Sequence, residues 1–211
     1  MTVELHGYRY SVYSWIARLA LHEKGVAYEW VEVNPFADDV PSEYLAMHPF
    51  KRVPTLVNYK FVVIETSAIT RYVDEAFKGP RLQPLTPEAR ARANQIVSII
   101  DNYAYWPLVR QVFSHGVFRP RVGAPTDQSE YQQGLATAPR VLKSLDQFAN
   151  GGTFLVSDTI SLADIHLAPM IAYFTSDPGG DALLKPHYHL CSWWSAMSQR
   201  KALAETKPTL P

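Results

Sequence analysis

Three short stretches of the sequence carry groups able to bind and activate a small charged molecule. In Gly7-Tyr8-Arg9-Tyr10-Ser11-Val12-Tyr13-Ser14 a strand hands over to a helix. A hydroxyl at Ser11 would lie there beside unpaired backbone N–H groups and the positive end of a helix dipole. Such a setting stabilises an anion, although Ser11 or Ser14 serves as readily as a plain helix cap. Val53-Pro54 stands at the entrance to a strand, one of the few places where a sheet tolerates proline. A cis bond there would turn the N–H and C=O of Val53 outward, free to pair with a peptide-like ligand. X-Pro bonds are mostly trans, so the local sequence leaves the isomer open. Glu65-Thr66 puts a carboxylate and a hydroxyl at a strand–helix junction, with helix amides behind them. That set can bind the ammonium and carboxylate of an amino acid together; an N-capped helix with an acidic first turn is the alternative.

The chain has 211 residues, with 20 Lys+Arg against 20 Asp+Glu and no net charge. Without a surplus or block of cations nothing attracts a phosphate backbone, so no nucleic-acid partner is expected. Hydrophobic residues at 47% and charged residues at 19% describe a chain with a core, not a disordered one. The single cysteine, Cys191, excludes an intrachain disulfide, a CxxC redox pair and a multi-cysteine zinc site. His187-Tyr188-His189-Leu190-Cys191 has soft ligands at alternate positions but no acidic partner or second cluster, so no metal is expected. Cys191 itself reads as a packing thiol. Met1-Thr2-Val3-Glu4 is neither basic nor followed by a long apolar run, so no signal peptide is expected. No stretch approaches the roughly 18–20 apolar residues that span a bilayer. The expectation is a cytoplasmic protein that does not engage membranes.

The elements that must position these groups follow from the pattern. Residues 2–6 and 27–33 read as strands flanking a helix over Ser14–Lys24, closed by Gly25. That is a βαβ unit with parallel strands. Runs at 54–57 and 61–64 form a hairpin, and 66–77 a further helix. A four-stranded mixed sheet with helices against it results. The prolines and glycine of Gly79-Pro80-Arg81-Leu82-Gln83-Pro84-Leu85-Thr86-Pro87 break the pattern. Beyond them strand signals vanish. One long helical pattern covers 87–117 with a kink expected at Pro107, then a loop at 119–127, a helix at 130–149 and a last helix at 192–203. Ser161-Leu162-Ala163-Asp164 is a capping box by pattern, flanked by Ile160 and Ile165 as a hydrophobic staple. The glycine pairs at 151–152 and 179–180 read as turns, and no glycine pattern matches a phosphate-binding loop.

Taken together these features resemble the cytosolic glutathione transferase family over nearly the whole chain. Ser11 to Gly25 is similar to the family's first helix. His48-Pro49-Phe50-Lys51-Arg52-Val53-Pro54-Thr55-Leu56 is similar to its Asn-Pro-x-Gly-Lys-Val-Pro pattern, with His48 for Asn and Lys51 for Gly. Glu65-Thr66-Ser67-Ala68-Ile69 with Tyr72 is similar to its Glu-Ser-x-Ala-Ile pattern, with Thr66 for Ser. Ser161–Asp164 falls where the family keeps its C-terminal capping box. The resemblance implies a bacterial-type member with a thioredoxin-like glutathione-binding domain (βαβαββα, residues 1–80), a linker (81–86) and an all-helical C-terminal domain (87–211). It also implies a homodimer.

By the same resemblance Glu65 and Thr66 hold the γ-glutamyl end of glutathione, Val53 before a cis Pro54 pairs with the cysteinyl backbone, and Arg52 meets the glycyl carboxylate. Ser11 aligns with the catalytic serine of the tau, phi and zeta classes; Tyr8, Tyr10 and Tyr13 are tyrosine alternatives, and Ser14 or backbone amides a third. Tyr10 stands where the beta class keeps its cysteine, so mixed-disulfide chemistry is not expected there. Glutathione is then the cosubstrate, its thiolate attacking a small hydrophobic electrophile. Tyr13, with Tyr103, Trp106 and Arg110 on one helical face, are candidates for that substrate's pocket between the domains; an aromatic stripe of core packing is the alternative. Asp101 could reach a partner subunit's glutathione or be a solvated carboxylate. Two other functions stay open: a glutathione-dependent isomerase resembling maleylacetoacetate isomerase, and a non-catalytic interaction protein of the same fold.

Overall fold

The computed structural model describes residues 2–211. It divides into one unit running to Leu82 and rejoined by Thr206–Pro208, and a second of Gln83–Glu205 with Thr209–Pro211.

In the first unit β1 (Val3–Gly7) alternates buried and half-buried residues, as a strand with one face on a core must. Helix α1 (Val12–Lys24) buries Trp15, Ile16, Leu19 and Ala20 completely and ends at Gly25, whose φ of 71° lies in the left-handed region. Strand β2 (Tyr28–Glu32) runs parallel to β1, from Val3 opposite Tyr28 to Gly7 opposite Glu32. After α2 (Ser42–Met47), β3 (Thr55–Asn58) and β4 (Phe61–Ile64) form the hairpin, and α3 (Thr66–Ala76) follows. The hairpin lacks a turn glycine, and Tyr59 takes φ 57° in its place. The strand order β2-β1-β3-β4, with only β1 and β2 parallel, is the thioredoxin-like arrangement expected. Lys24 fixes the way out of this unit. Its ammonium, buried at the end of α1, donates to Asp74 of α3 (2.6 Å) and to the Pro80 carbonyl (3.0 Å), while the Leu82 N–H donates to the same Asp74 oxygen (2.8 Å). A buried lysine is tolerable only when paired in this way.

The second unit is helical. Thr86 caps α4 (Pro87–Ile99) by accepting from Ala89 N, with Pro87 at the first helical position. The helix then widens into a π-helical segment, Ile100–Phe118, and closes with the short α5 (Arg119–Arg121). No break marks Pro107. Ile100, Ala104, Leu108 and Val112 are fully buried at four-residue spacing, continuing the row begun by Ile96 in α4. Helix α6 (Gln128–Phe148) starts two residues earlier than the apolar pattern suggests, because Asp127 caps it by accepting from Ser129 N and Glu130 N. Gly134 within α6 is a packing requirement: a Cβ there would meet Gln111 Cβ at 2.7 Å and Val112 Cγ2 at 2.9 Å.

Two expectations are corrected. Gly179-Gly180 is not a turn but the opening of α8 (Pro178–Leu184), capped by Asp177, which accepts from Gly180 N at 3.0 Å. A Cβ on Gly180 would collide with the Phe174 carbonyl oxygen, so close approach and not flexibility calls for glycine. The single last helix is two, α9 (Tyr188–Ser198) and α10 (Lys201–Thr206), separated by a tight turn in which Arg200 N donates to Met197 O. Helix α7 (Leu162–Phe174) packs against the Ile100–Phe118 segment, α4 and α9; it is buried on all sides and opened by the Ser161/Asp164 capping box.

Candidate active site

Sheet register brings three of the sequence-derived groups to one end of the first unit. His6, near the end of β1, lies opposite Thr55 at the start of β3, and Thr55 lies opposite Ile64 at the end of β4. The residues just beyond those positions are the β1–α1 turn with Ser11, the Val53-Pro54 pair, and Glu65-Thr66. The end of β2 joins them through the Gly7–Glu32 pairing.

Ser11 is the N-cap of α1, in extended conformation, and its Oγ accepts from Ser14 N at 3.3 Å. Capping is therefore one thing it does. A hydroxyl has a proton to donate besides its lone pairs, and that proton remains available for an anion. Ser14 is buried; its Oγ accepts from Tyr8 N at 3.3 Å, and Ser11 N donates to Tyr8 O at 2.9 Å. Tyr8 is pushed above the usual tyrosine value by burial, with Tyr10 and Glu32 adding to it and Arg9 opposing. Its hydroxyl therefore keeps its proton at neutral pH and can donate that proton to an anion.

Gly7 makes this turn possible. A Cβ there would come within 2.6 Å of Trp30 Cη2 and 2.7 Å of Ser14 Oγ. Trp30 cannot swing away cheaply, because its indole N–H donates to Glu32 (2.9 Å) and the Arg18 guanidinium lies 5.4 Å from its ring centre. Gly7→Ala should therefore cost about 1–3 kcal/mol of stability, as overpacking of a fixed neighbourhood does, read as a lowered urea midpoint at unchanged slope.

The Val53-Pro54 bond is cis. Before it, Lys51 adopts φ 50° where the family pattern has glycine, and its ammonium is taken up by the Ala37 carbonyl at 2.9 Å. Arg52 is exposed, and its carbonyl accepts from Tyr44 Oη at 2.6 Å, which ties this loop to α2. His48, in place of the pattern's Asn, is almost fully buried, and its Nδ1 has no hydrogen-bond partner among the described residues. Burial pushes His48 below the usual histidine value, with Arg52 in the same sense and Glu65 opposing. The folded protein thus refuses a proton that the unfolded chain accepts, so stability is intact above about pH 6.5 and falls as pH drops from there towards the depressed folded value. His115, lowered mainly by burial as well, acts with the same sign. His48→Asn should flatten but not abolish the loss of stability between pH 7.5 and 5.5 in urea titrations.

Glu65 precedes α3 with φ 69° and ψ 118°, an unusual conformation for a non-glycine residue and a pointer to function. Its side chain caps nothing and is exposed, while Thr66 behind it is buried. The plain N-cap alternative for Glu65 does not describe this geometry.

The remaining candidates divide between the units. Tyr13 lies in the first turn of α1. Tyr103 and Trp106, in the second unit's π-helical segment, are 66% and 55% exposed, which is not core packing. Arg110 lies 5.9 Å from the Trp106 ring centre, within cation–π range. Asp101 Oδ1 is buried 3.5 Å from Nδ1 of the fully buried His166 and has no hydrogen-bond partner among the described residues, so this oxygen is not simply solvated. Burial pushes the Cys191 thiol up, as for a packing cysteine. Among the described residues no three His, Cys, Asp or Glu side chains gather as a metal site, and no helix is long and apolar enough to cross a membrane. Sequence reasoning missed Glu32, which binds the turn before Ser11; its one visible signal is its place at the end of the strand that pairs with β1.

A sheet end of this kind followed by a helical unit defines a two-part α/β-plus-helical protein. Comparison with known proteins gives the family. The description "Glutathione S-transferase, N-terminal domain" matches residues 5–81, and "Glutathione S-transferase, C-terminal domain" residues 68–201. Glutathione S-transferase F10 of Arabidopsis thaliana is 31% identical over 200 residues, covering 92% of this chain and 93% of its own. Maleylacetoacetate isomerase of Mus musculus is 29% identical over 171 residues, covering 80% and 76%. Among solved structures, glutathione S-transferase III in apo form superposes with a TM-score of 0.87 at 25% identity over 100% of this chain and 99% of its own. Glutathione S-transferase-I bound with lactoylglutathione gives 0.86 at 25% identity over 98% and 99%. The chain belongs to the glutathione S-transferase family.

Proposed function

We propose that this protein is a glutathione transferase that binds glutathione at the sheet end and activates its thiol through Ser11. The observation that carries the reading is the convergence there of Ser11, cis Val53-Pro54 and the exposed Glu65 carboxylate. Glu65 takes the γ-glutamyl ammonium, with Thr66 and the α3 amides on the adjacent carboxylate. Val53 pairs with the cysteinyl backbone. Arg52 meets the glycyl carboxylate, and the neighbouring Lys51 ammonium, which donates to the Ala37 carbonyl, adds a second cation there.

The Ser11 hydroxyl then donates to the sulfur. A hydrogen bond to the charged form favours it, so the thiol releases its proton to solvent more readily. The sulfur lone pair forms the new S–C bond with the electrophile, and a leaving group departs with its electron pair or the adduct takes up a proton. Tyr13, Tyr103, Trp106 and Arg110 suit a planar apolar or anionic acceptor. The reading includes a homodimer in the cytoplasm; Phe50, Phe61 and Val62 of the first unit are exposed apolar side chains of the kind an interface covers.

The test is retention on immobilised glutathione followed by conjugation assays across a panel of electrophiles, with sedimentation for the dimer. Flow-through with no conjugation would leave a non-catalytic interaction protein. Because of the 29% identical isomerase relative, the panel should include a cis-ene-dione; isomerisation without net glutathione consumption would favour that second reading.

A further inference from the structure

We infer that Glu32, at the end of β2, is the residue that positions Ser11 for thiol activation, acting through the backbone and side chain of Arg9. The inference rests on Ser11 being the activating group. Four residues, Tyr8 to Ser11, join β1 to α1, and their course decides where the Ser11 hydroxyl points. Tyr8 N is held from the helix side by Ser14 Oγ. Arg9 N is held from the sheet side by Glu32 Oε1 at 3.1 Å. Ser11 N then closes onto Tyr8 O. The second Glu32 oxygen forms an ion pair with Arg9 (Nε at 3.2 Å) and accepts from Trp30 Nε1 (2.9 Å), and Trp30 is the ring that leaves no room for a side chain at Gly7. One carboxylate thus fastens both the peptide two residues before Ser11 and the indole that the turn packs against.

Its location argues that the fastening is functional. The Glu32 and Arg9 side chains are 31% and 59% exposed, so the pair adds little to global stability. What it fixes is local, next to a group whose donor must meet a sulfur within a fraction of an ångström. Electrostatics also gives the inference a sign. Taking a negative charge away from the neighbourhood of a thiolate would, by charge alone, favour the thiolate and lower the thiol's titration. Loss of positioning does the opposite.

Glu32→Ala and Ser11→Ala, singly and together, should be compared by ultraviolet titration of the glutathione thiolate bound to each protein, alongside steady-state kinetics and urea unfolding. The expected result for Glu32→Ala is an upward shift of the bound thiol titration and a lowered kcat near neutral pH, each no larger than Ser11→Ala produces, with KM for glutathione and the urea midpoint close to wild type. Glu32→Gln, which keeps an oxygen for Arg9 N but turns an N–H₂ towards Trp30 Nε1 and Arg9 Nε, should fall between wild type and Glu32→Ala. The double variant should titrate like Ser11→Ala alone, because Glu32 works through that hydroxyl. A Glu32→Ala titration that stays put or moves down, while Ser11→Ala moves up, overturns the role of Glu32 and leaves Ser11 in place. If Ser11→Ala itself titrates as wild type, the assignment of Ser11 fails, and a positioning role exerted through it fails too, whatever Glu32→Ala does.

Discussion

Replacing Ser11 by alanine should raise the titration of protein-bound glutathione by about two pH units, towards the value near 8.5 of a free thiol, while glutathione affinity changes little. A hydrogen bond to a charged group is worth about 1.5–3 kcal/mol, and two pH units correspond to about 2.7 kcal/mol. The effect on rate is smaller than that on population. Near neutral pH the thiolate fraction falls roughly 25-fold, but intrinsic nucleophilicity rises with pKa and recovers about 8-fold, so the thiolate term alone costs roughly 3-fold. Lost stabilisation of the sulfur in the transition state adds to this. The population part of the deficit should therefore shrink as pH rises and vanish by about pH 9; a deficit independent of pH would exclude thiol activation as the role of Ser11.

Ser11 is also the N-cap of α1, so the alanine variant should lose about 1 kcal/mol of stability as well. Ser11→Gly separates the two roles. Glycine is a tolerable cap, costing only a few tenths of a kcal/mol, but it has no hydroxyl. The glycine and alanine variants should titrate alike and unfold differently. If they differ in titration as they do in stability, the cap and not the hydroxyl is responsible.

The largest loss of stability is expected at Asp164. The residue has no exposed surface, and its two oxygens accept four hydrogen bonds: Ser161 N and Ser161 Oγ at 2.7 Å each, and Leu155 N and Trp193 Nε1 at 2.8 Å each. Burial pushes its carboxyl up, and all four donors pull against that. Asp164→Ala strands buried donors from the chain before α7, the cap of α7, and α9 at once. The expected cost is about 3–5 kcal/mol, or roughly 6–20 °C in melting temperature. Asp164→Asn keeps one acceptor oxygen but turns an N–H₂ towards existing donors, so it should fall between wild type and alanine in a thermal melt. An alanine variant melting within a degree or two of wild type would show that these bonds carry little net stability.

Asp164 was half legible in the sequence. Ser161 and Asp164 at the spacing of a capping box announced the start of α7, because that bond is local. The bonds to Leu155 and Trp193 were not announced, since they depend on where other parts of the chain return. The same divide runs through the molecule. The βαβ unit, the hairpin and the proline-rich break follow from local periodicity and turn chemistry. Helix α8 does not, because two glycines look like a turn until the Phe174 carbonyl is seen to occupy the space of a Cβ. Ser11, Val53, Pro54, Glu65 and Thr66 could be named because their motifs are contiguous. Glu32 could not: its partners are Arg9 and Trp30, and only the parallel pairing of β1 with β2 brings Arg9 to it.

The return of Thr206–Pro208 to the first unit bears on how this protein can be cut and recombined. Thr206 Oγ1 accepts from the indole N–H of Trp15, inside the core of that unit, at 2.9 Å. A chimera spliced only at the linker, with residues 1–82 joined to the helical part of another family member, would import a foreign tail into that core. The transplantable module is discontinuous: residues up to Leu82 and the three that close over Trp15 travel together or not at all.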